Sequence, residues 1–168
     1  FAKTPVDFDN IKNNDYAFSQ KEIFNKISWV KDKNDLLYQP DYTDVLRVAF
    51  TYKFRRGKLQ DLVSLLSGRD FETREYREEI IENSFRKLYS GVKDFVNQTN
   101  FERYTMILKS AGIISCDLVR SQNVYNFGYI LYLLLRDKSL EPDKIERLVR
   151  RWIVMSIITQ RYTSSPES

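Results

Sequence analysis

Apolar residues recur three and four positions apart along most of this chain, and strand-like alternation is scarce. This periodicity predicts an all-α protein. The expected helices run from a capping box at Ser19 through Val30, from Thr43 to a C-cap at Gly57, from about Thr73 to Val96, from a cap at Asn100 to Gly112, over Val124–Leu135, and from Pro142 through Met155. A short helix that carries Leu59, Leu62, Val63 and Leu66 is expected before Gly68. The stretch Ile113–Gln122 is ambiguous.

The run Val124–Leu135 is apolar on nearly all sides and is broken mainly by Asn126 and Gly128. Outside a membrane, a helix of this kind must be surrounded by other helices. We therefore expect an irregular multi-helix bundle built around this central apolar helix.

The domain organisation follows from the breaks in this pattern. Lys31–Tyr42 is largely polar and contains Pro40, which predicts a linker. We expect an N-terminal helical segment and linker over residues 1–41 and a helical domain over residues 42–168. Ser164–Glu167 resembles the start of a helix, with a serine, a proline and a glutamate, but no helix follows. We therefore expect a domain truncated at its C-terminal end, cut from a longer protein.

Composition narrows the chemistry. The chain has no histidine, which removes the usual general base, the commonest metal ligand and every Ser-His or Cys-His nucleophile. Cys116 is the single cysteine, so it forms no internal disulfide and fits a reducing cytoplasm. The longest apolar stretches are far shorter than the ~20 residues of a membrane helix. We expect a soluble, cytoplasmic protein with no cofactor in this segment and no membrane partner.

A first group of cations is a candidate phosphate-binding surface, since the net charge is +4 and four cations fall within six residues: Lys53, Arg55, Arg56 and Lys58. Cations also gather at helix C-termini, where they satisfy free carbonyls and the negative end of the helix dipole. This structural interpretation is the favoured one.

A second group of cations comprises Lys144, Arg147, Arg150 and Arg151. Asp143 and Glu146 lie four residues before Arg147 and Arg150, which is the favourable order for pairs within a helix. Only Arg151 then lacks an obvious partner. A solvated, self-paired face is favoured over a nucleic-acid surface.

Two further features have a chemical and a structural interpretation. Glu75, Glu79 and Glu82 fall at helical spacing, as in the carboxylate metal sites of some helix bundles. Such a site needs inward-facing acids and histidines, whereas arginines interleave with these glutamates and indicate a water-facing surface. The eleven tyrosines and eleven phenylalanines lie mostly at core spacing, which favours packing over base stacking.

The C-terminal third carries a family resemblance. Ile145–Trp152, followed by Thr159–Glu167, is similar to the "R-R-W … G-R-Y-S-S-S-x-E" stretch of bacterial GmrSD-type restriction proteins. Asp44–Phe50 and the pattern around Asn126, Phe127 and Tyr129 also resemble the helical part of that family. The positions that match the C-terminal stretch are Arg151, Trp152, Arg161, Tyr162, Ser165 and Glu167.

In that family a ParB-like domain with a D-G-Q-Q-R motif handles nucleotide, and an HNH-type domain cuts DNA in defence against phage. This chain has no such motif and no histidine. The resemblance therefore implies the helical region between the two domains, with the flanking domains of the same parent chain as partners. It assigns no catalytic residue; Trp152 is expected in the core, while Arg161 and Glu167 are expected at the junction to the next domain.

Two functions stay open. The preferred one is a non-catalytic helical module of a restriction protein that couples the nucleotide-binding and nuclease domains. The alternative is a nucleic-acid-binding helical module with salt-dependent affinity for DNA. Its candidate residues, drawn from the clusters at 53–58 and 144–151 and from the C-terminal stretch, are Lys53, Arg55, Arg56, Lys58, Arg147, Arg151 and Arg161.

Overall fold

Six α-helices make up most of the described chain, which comprises residues 37–70, 73 and 75–162 of a computed structural model. They are α1 (Tyr42–Phe54), α2 (Leu59–Leu66), α3 (Glu78–Phe95), α4 (Gln98–Ser110), α5 (Gln122–Arg136) and α6 (Pro142–Ile158). The segment predicted as ambiguous holds one 3-10 turn, Cys116–Leu118. No strand occurs within these residues, and the prediction of an all-α bundle is confirmed.

The centre of the bundle is the pair α1 and α5, which run side by side in the same direction. Asp44 at the start of α1 meets Asn126 near the start of α5, and Tyr52 near the end of α1 meets Asp137 just past the end of α5. Helix α3 packs against α1, and α6 packs against α5. Helix α2 packs on α3, and α4 contacts α6, α3 and α5. The apolar helix α5 is therefore central, as the sequence predicts.

Tyrosine rings fill much of this core. Tyr38, Tyr104 and Tyr129 are fully buried, and Tyr104 stacks on Tyr129 with ring centroids 4.7 Å apart. Each hydroxyl has a partner: Tyr104 donates to the carbonyl of Tyr125 and Tyr129 to that of Phe95, at 2.7 and 2.8 Å. Burial raises the pKa of all three phenols, which keeps them as neutral donors. The predicted packing role of the aromatic residues is confirmed.

The predicted linker contributes to that core. Leu37, Tyr38 and Pro40 are buried, and the ring of Tyr38 stacks on Phe101 and Tyr125. The polar interpretation is therefore wrong for the end of Lys31–Tyr42. Two apolar residues in a polar stretch are too few to form a periodic pattern. The rings that pack on Tyr38 lie far away in the sequence, so the local pattern does not reveal this contact.

Three predicted helix ends are wrong. Helix α1 ends at Phe54 and is capped by Arg55 in a left-handed conformation (φ 60°), and not by Gly57. Helix α4 begins earlier than predicted because Asn97, and not Asn100, accepts a backbone bond at the N-terminus. Helix α3 begins at Glu78, and not near Thr73.

The late start of α3 has a clear cause in the preceding turn. The Asp70 carboxylate accepts a hydrogen bond from the amide of Thr73 at 2.8 Å, and the Asp70 amide donates to the carbonyl of Glu75. The amide of Arg77 donates to the carbonyl of Gly68 at 2.9 Å. These bonds form a small hairpin-like turn, so the helix begins only after it.

Some predictions lie outside the described residues: the helix from Ser19 to Val30 and the C-terminal stretch Ser164–Ser168. The division between residues 1–41 and 42–168 stays a prediction for the same reason. Of the helices that the structure does describe, none has the length and apolar character that crossing a membrane requires.

Candidate functional site

The first predicted cation, Lys53, belongs to an ion cluster at the C-terminal end of α1. Its ammonium group lies 2.7 Å from one carboxylate oxygen of Asp94 on α3. Arg136 at the end of α5 reaches the other oxygen of Asp94 at 3.2 Å and the carboxylate of Asp137 at 2.8 Å. The cluster therefore joins three helices, and the ion pair with Asp94 occupies Lys53.

Tyr52 completes this ion cluster. Its hydroxyl donates to Asp137 at 2.5 Å and accepts a bond from the guanidinium of Arg136 at 3.0 Å. Partial burial would raise the pKa of Asp137, but the donors Tyr52 and Arg136 outweigh it and hold that pKa below its usual range. The arrangement stabilises the ionised carboxylate and fastens the ends of α1 and α5 together.

Replacing Tyr52 with phenylalanine is expected to lower the free energy of unfolding by about 1.5–3 kcal/mol near neutral pH, since the hydrogen bonds of its hydroxyl to Asp137 and Arg136 are lost. The lowered pKa of Asp137 stabilises the fold above the unfolded-state pKa, and this contribution disappears as the pH falls through the folded-state value. The difference between the variant and the parent should therefore shrink in acid. Urea unfolding at several pH values measures it, and a constant difference would contradict the assignment.

The rest of the first cluster is only partly available. Arg56 pairs with Asp61 on α2 at 3.5 Å, whereas Arg55 and Lys58 are exposed. Arg55 is the C-cap of α1, which agrees with the structural interpretation of cations at a helix end. The structure thus brings these cations together around the C-terminal end of α1, but ion pairs occupy two of the four, Lys53 and Arg56.

The second cluster differs from its prediction. Arg150 pairs with Glu146 at 3.5 Å as expected, but the expected pair between Asp143 and Arg147 does not form. Within the described residues, neither Arg147 nor Arg151 has an acidic side chain in contact, and both are exposed. This face of α6 is therefore less self-paired than the spacing indicates.

Arg161 lies apart from the other candidates. It follows the end of α6, next to Tyr162, which stacks on Phe127 near the start of α5. Lys53 lies instead beside Arg136 at the opposite end of α5. The seven candidate cations therefore occupy three places and do not form one continuous surface.

The glutamates proposed as an alternative metal site do not come together. Glu75 precedes α3 and pairs with Arg77 at 2.6 Å, and Glu82 pairs with Arg86 at 2.5 Å. Glu75 is thus not on the helix that carries Glu79 and Glu82. Across the part of the chain that the structure describes, no three metal-ligating side chains are grouped to hold an ion.

Several residues that carry the family resemblance do meet. Asn126 donates to Asp44 at 2.6 Å. The rings of Phe127 and Tyr162 are nearly parallel with centroids 5.2 Å apart, and Trp152 packs against Tyr162 at 6.0 Å. Trp152 is half-buried against the core, in agreement with its expected place.

Beside this aromatic contact lies a groove that the sequence did not reveal, because its two walls are far apart in the chain. Its volume is about 220 Å³. One wall is the turn before α5, with Leu118 and Ser121, and the other is the end of α6, with Ser156 and Gln160.

Comparisons with known proteins assign no family. No family model matches the chain, and no solved structure matches it. It is 22% identical over 93 residues to dynein light chain Tctex-type protein 2B of Bos taurus. That match covers 55% of this chain and 61% of the relative's length.

Proposed function

We propose that this chain is a non-catalytic helical module of a larger GmrSD-type DNA restriction protein that acts in phage defence. It would couple a nucleotide-binding domain to a nuclease domain. The observation that carries the proposal is the contact between residues matching the family at separate places in the sequence, above all Phe127 with Tyr162.

The aromatic contact offers a physical means of coupling. Tyr162 lies beyond α6, and its ring is held between Phe127 of α5 and Trp152 of α6. Aromatic pairs contribute about 0.5–1.5 kcal/mol each beyond the burial of their area. A displacement of the chain that follows Tyr162 is therefore transmitted to the central helix, instead of being absorbed by a free tail.

Replacing Tyr162 with alanine in the parent protein is expected to reduce nucleotide-stimulated DNA cleavage by about tenfold, within the usual range of coupling energies. Nucleotide hydrolysis without DNA should change little, because no catalytic residue is altered. Tyr76→Ala is the matched control, since that side chain is 70% exposed and precedes α3, a helix that packs on α1, α2 and α4.

Two results would contradict the proposal. One is DNA cleavage or nucleotide hydrolysis by the purified chain alone. The other is unchanged stimulation in the Tyr162→Ala parent protein.

The nucleic-acid-binding module remains a second candidate, favoured by the exposure of Arg147 and Arg151 without acidic partners among the described residues. Counting against it, Lys53 and Arg56 are ion-paired and Arg161 lies at the other end of the bundle. Fewer free cations on one surface mean fewer phosphates neutralised, and hence weak binding at physiological salt.

A further inference from the structure

One face of α6 combines exposed apolar and cationic side chains. Leu148, Met155 and Ile158 are 42%, 50% and 69% exposed, although the opposite side of the helix is packed in the core. Lys144, Arg147 and Arg151 lie on the same side at helical spacing and are exposed. We refer to these six residues as the α6 outer face: Lys144, Arg147, Leu148, Arg151, Met155 and Ile158.

The six residues of this face include three cations and no acid. Asp143 and Glu146 border the face beside Arg147, but Glu146 forms its ion pair with Arg150. Among the described residues, none of the three cations of the outer face has an ion pair. The face thus presents apolar surface that water solvates poorly, together with three cations that form no ion pair among the described residues.

We infer that the α6 outer face binds an acidic amphipathic helix supplied by another part of the parent protein, an inference that rests on the proposed function. Apolar side chains of such a helix would cover Leu148, Met155 and Ile158, and its carboxylates would lie against the cations. From Lys144 to Ile158 the face extends about 21 Å along the axis, which matches a partner of about four turns.

The size of the face points to a partner in the same protein. Three exposed apolar side chains make a contact well below the roughly 1,200 Å² typical of stable complexes between separate proteins. A tethered segment is present at an effective concentration of about millimolar, at which a contact of this size is occupied. Weak binding that is easily reversed also suits a coupling surface.

Other occupants fit less well. In a pairing of two copies through this face, the cations would repel one another. Nucleic acid would neutralise the cations, but its phosphates would lie against Leu148 and Met155. On a membrane helix the cations flank the apolar stripe, whereas Arg151 lies between Leu148 and Met155 along this helix.

The test is fluorescence anisotropy of the purified chain with a labelled 18-residue peptide that has leucines along one face and glutamates elsewhere. A scrambled peptide of the same composition and a version with lysine for glutamate are the peptide controls. We expect binding at about 10–100 μM for the acidic amphipathic peptide and at least about tenfold weaker binding for both controls.

Matched protein variants locate the binding site. Met155→Ser and Arg151→Glu should each weaken binding of the acidic amphipathic peptide at least about fivefold. Val63→Ser and Lys58→Glu, on exposed positions at α2, should leave it unchanged. All four positions are exposed, and circular dichroism checks that each variant keeps its helices.

Equal binding of the amphipathic and scrambled peptides, or unchanged binding by both α6 variants, would overturn the inference. Duplex DNA, anionic phosphatidylglycerol vesicles and sedimentation of the chain alone are run alongside. If the α6 variants weaken binding to DNA, binding to vesicles or self-association, and leave peptide binding unchanged, the inference is wrong and that occupant replaces the acidic helix. If peptide binding fails while Tyr162→Ala still uncouples the parent protein, only this inference falls. Peptide binding with intact coupling would instead remove the proposed function.

Discussion

Replacing Gly128 with alanine is expected to lower the free energy of unfolding by about 2–4 kcal/mol. A Cβ atom at this position of α5 would lie 2.5 Å from the hydroxyl oxygen of Tyr104 and 3.3 Å from Cγ1 of Ile153. The Tyr104 ring is fully buried, and its hydroxyl donates to the carbonyl of Tyr125 at 2.7 Å. The hydroxyl cannot retreat without losing that bond, so the variant either strains the core or leaves a buried polar group unpaired.

Urea or thermal unfolding of the two proteins measures this effect. Gly57→Ala is the matched control, because a Cβ there meets no atom within 4 Å, and its change should stay within about 0.5 kcal/mol. A double-mutant cycle with Tyr104→Phe identifies the cause, since removing the hydroxyl should recover part of the loss. A Gly128→Ala variant as stable as the Gly57→Ala variant would show that α4, α5 and α6 pack less closely than the structure indicates.

The helices themselves are largely predictable from the sequence. Burial of apolar surface requires a stripe on each helix, so the stripe marks the helix whatever its neighbours are. The apolar residues Leu59, Leu62 and Leu66 lie in α2 as expected, and Val124–Leu135 lies within α5. Pro142 begins α6, as its fixed φ angle favours.

The ends of helices and the isolated core residues are less predictable. Asn97 and Asn100 are both good N-cap residues, and only the position of the helix in the bundle selects between them. Tyr38 is fully buried, yet its hydrogen-bond partner Asn126 and its ring partners lie in other helices. Local pattern carries no information about such distant contacts.

The candidate site shows the same limit. The sequence shows where cations cluster along the chain, but it does not reveal which of them form ion pairs in the fold. The partner of Lys53 is Asp94 on another helix, whereas the nearby pair expected for Arg147 is absent. The α6 outer face emerges only when burial separates Leu148 and Met155 from the packed side of the same helix.

Replacing Asn126 with aspartate is expected to lower the free energy of unfolding by about 3–5 kcal/mol at neutral pH, which is more than the loss expected for Gly128→Ala. The Asn126 side chain is fully buried; it accepts a hydrogen bond from the hydroxyl of Tyr38 at 2.7 Å and donates to the carboxylate of Asp44 at 2.6 Å. Burial already raises the pKa of Asp44. The variant places a second carboxylate against the first, where neither is well solvated.

The pH dependence of the Asn126→Asp variant follows because Asp44 and the new carboxyl lie too close together for both to ionise easily. One of the two carboxyls has a folded-state pKa raised above its unfolded value, so its contribution to stability is present at low pH and is lost as the pH rises through the raised value. The deficit against the parent should therefore shrink as the pH is lowered from neutral, which urea unfolding at each pH measures. Asn123→Asp is the control: the residue lies in the first turn of α5, where a carboxylate is favoured, so little stability should be lost. A deficit for Asn126→Asp that does not change with pH would mean that the new carboxylate turns away from Asp44, and that the start of α1 is not bound to α5 through this pair.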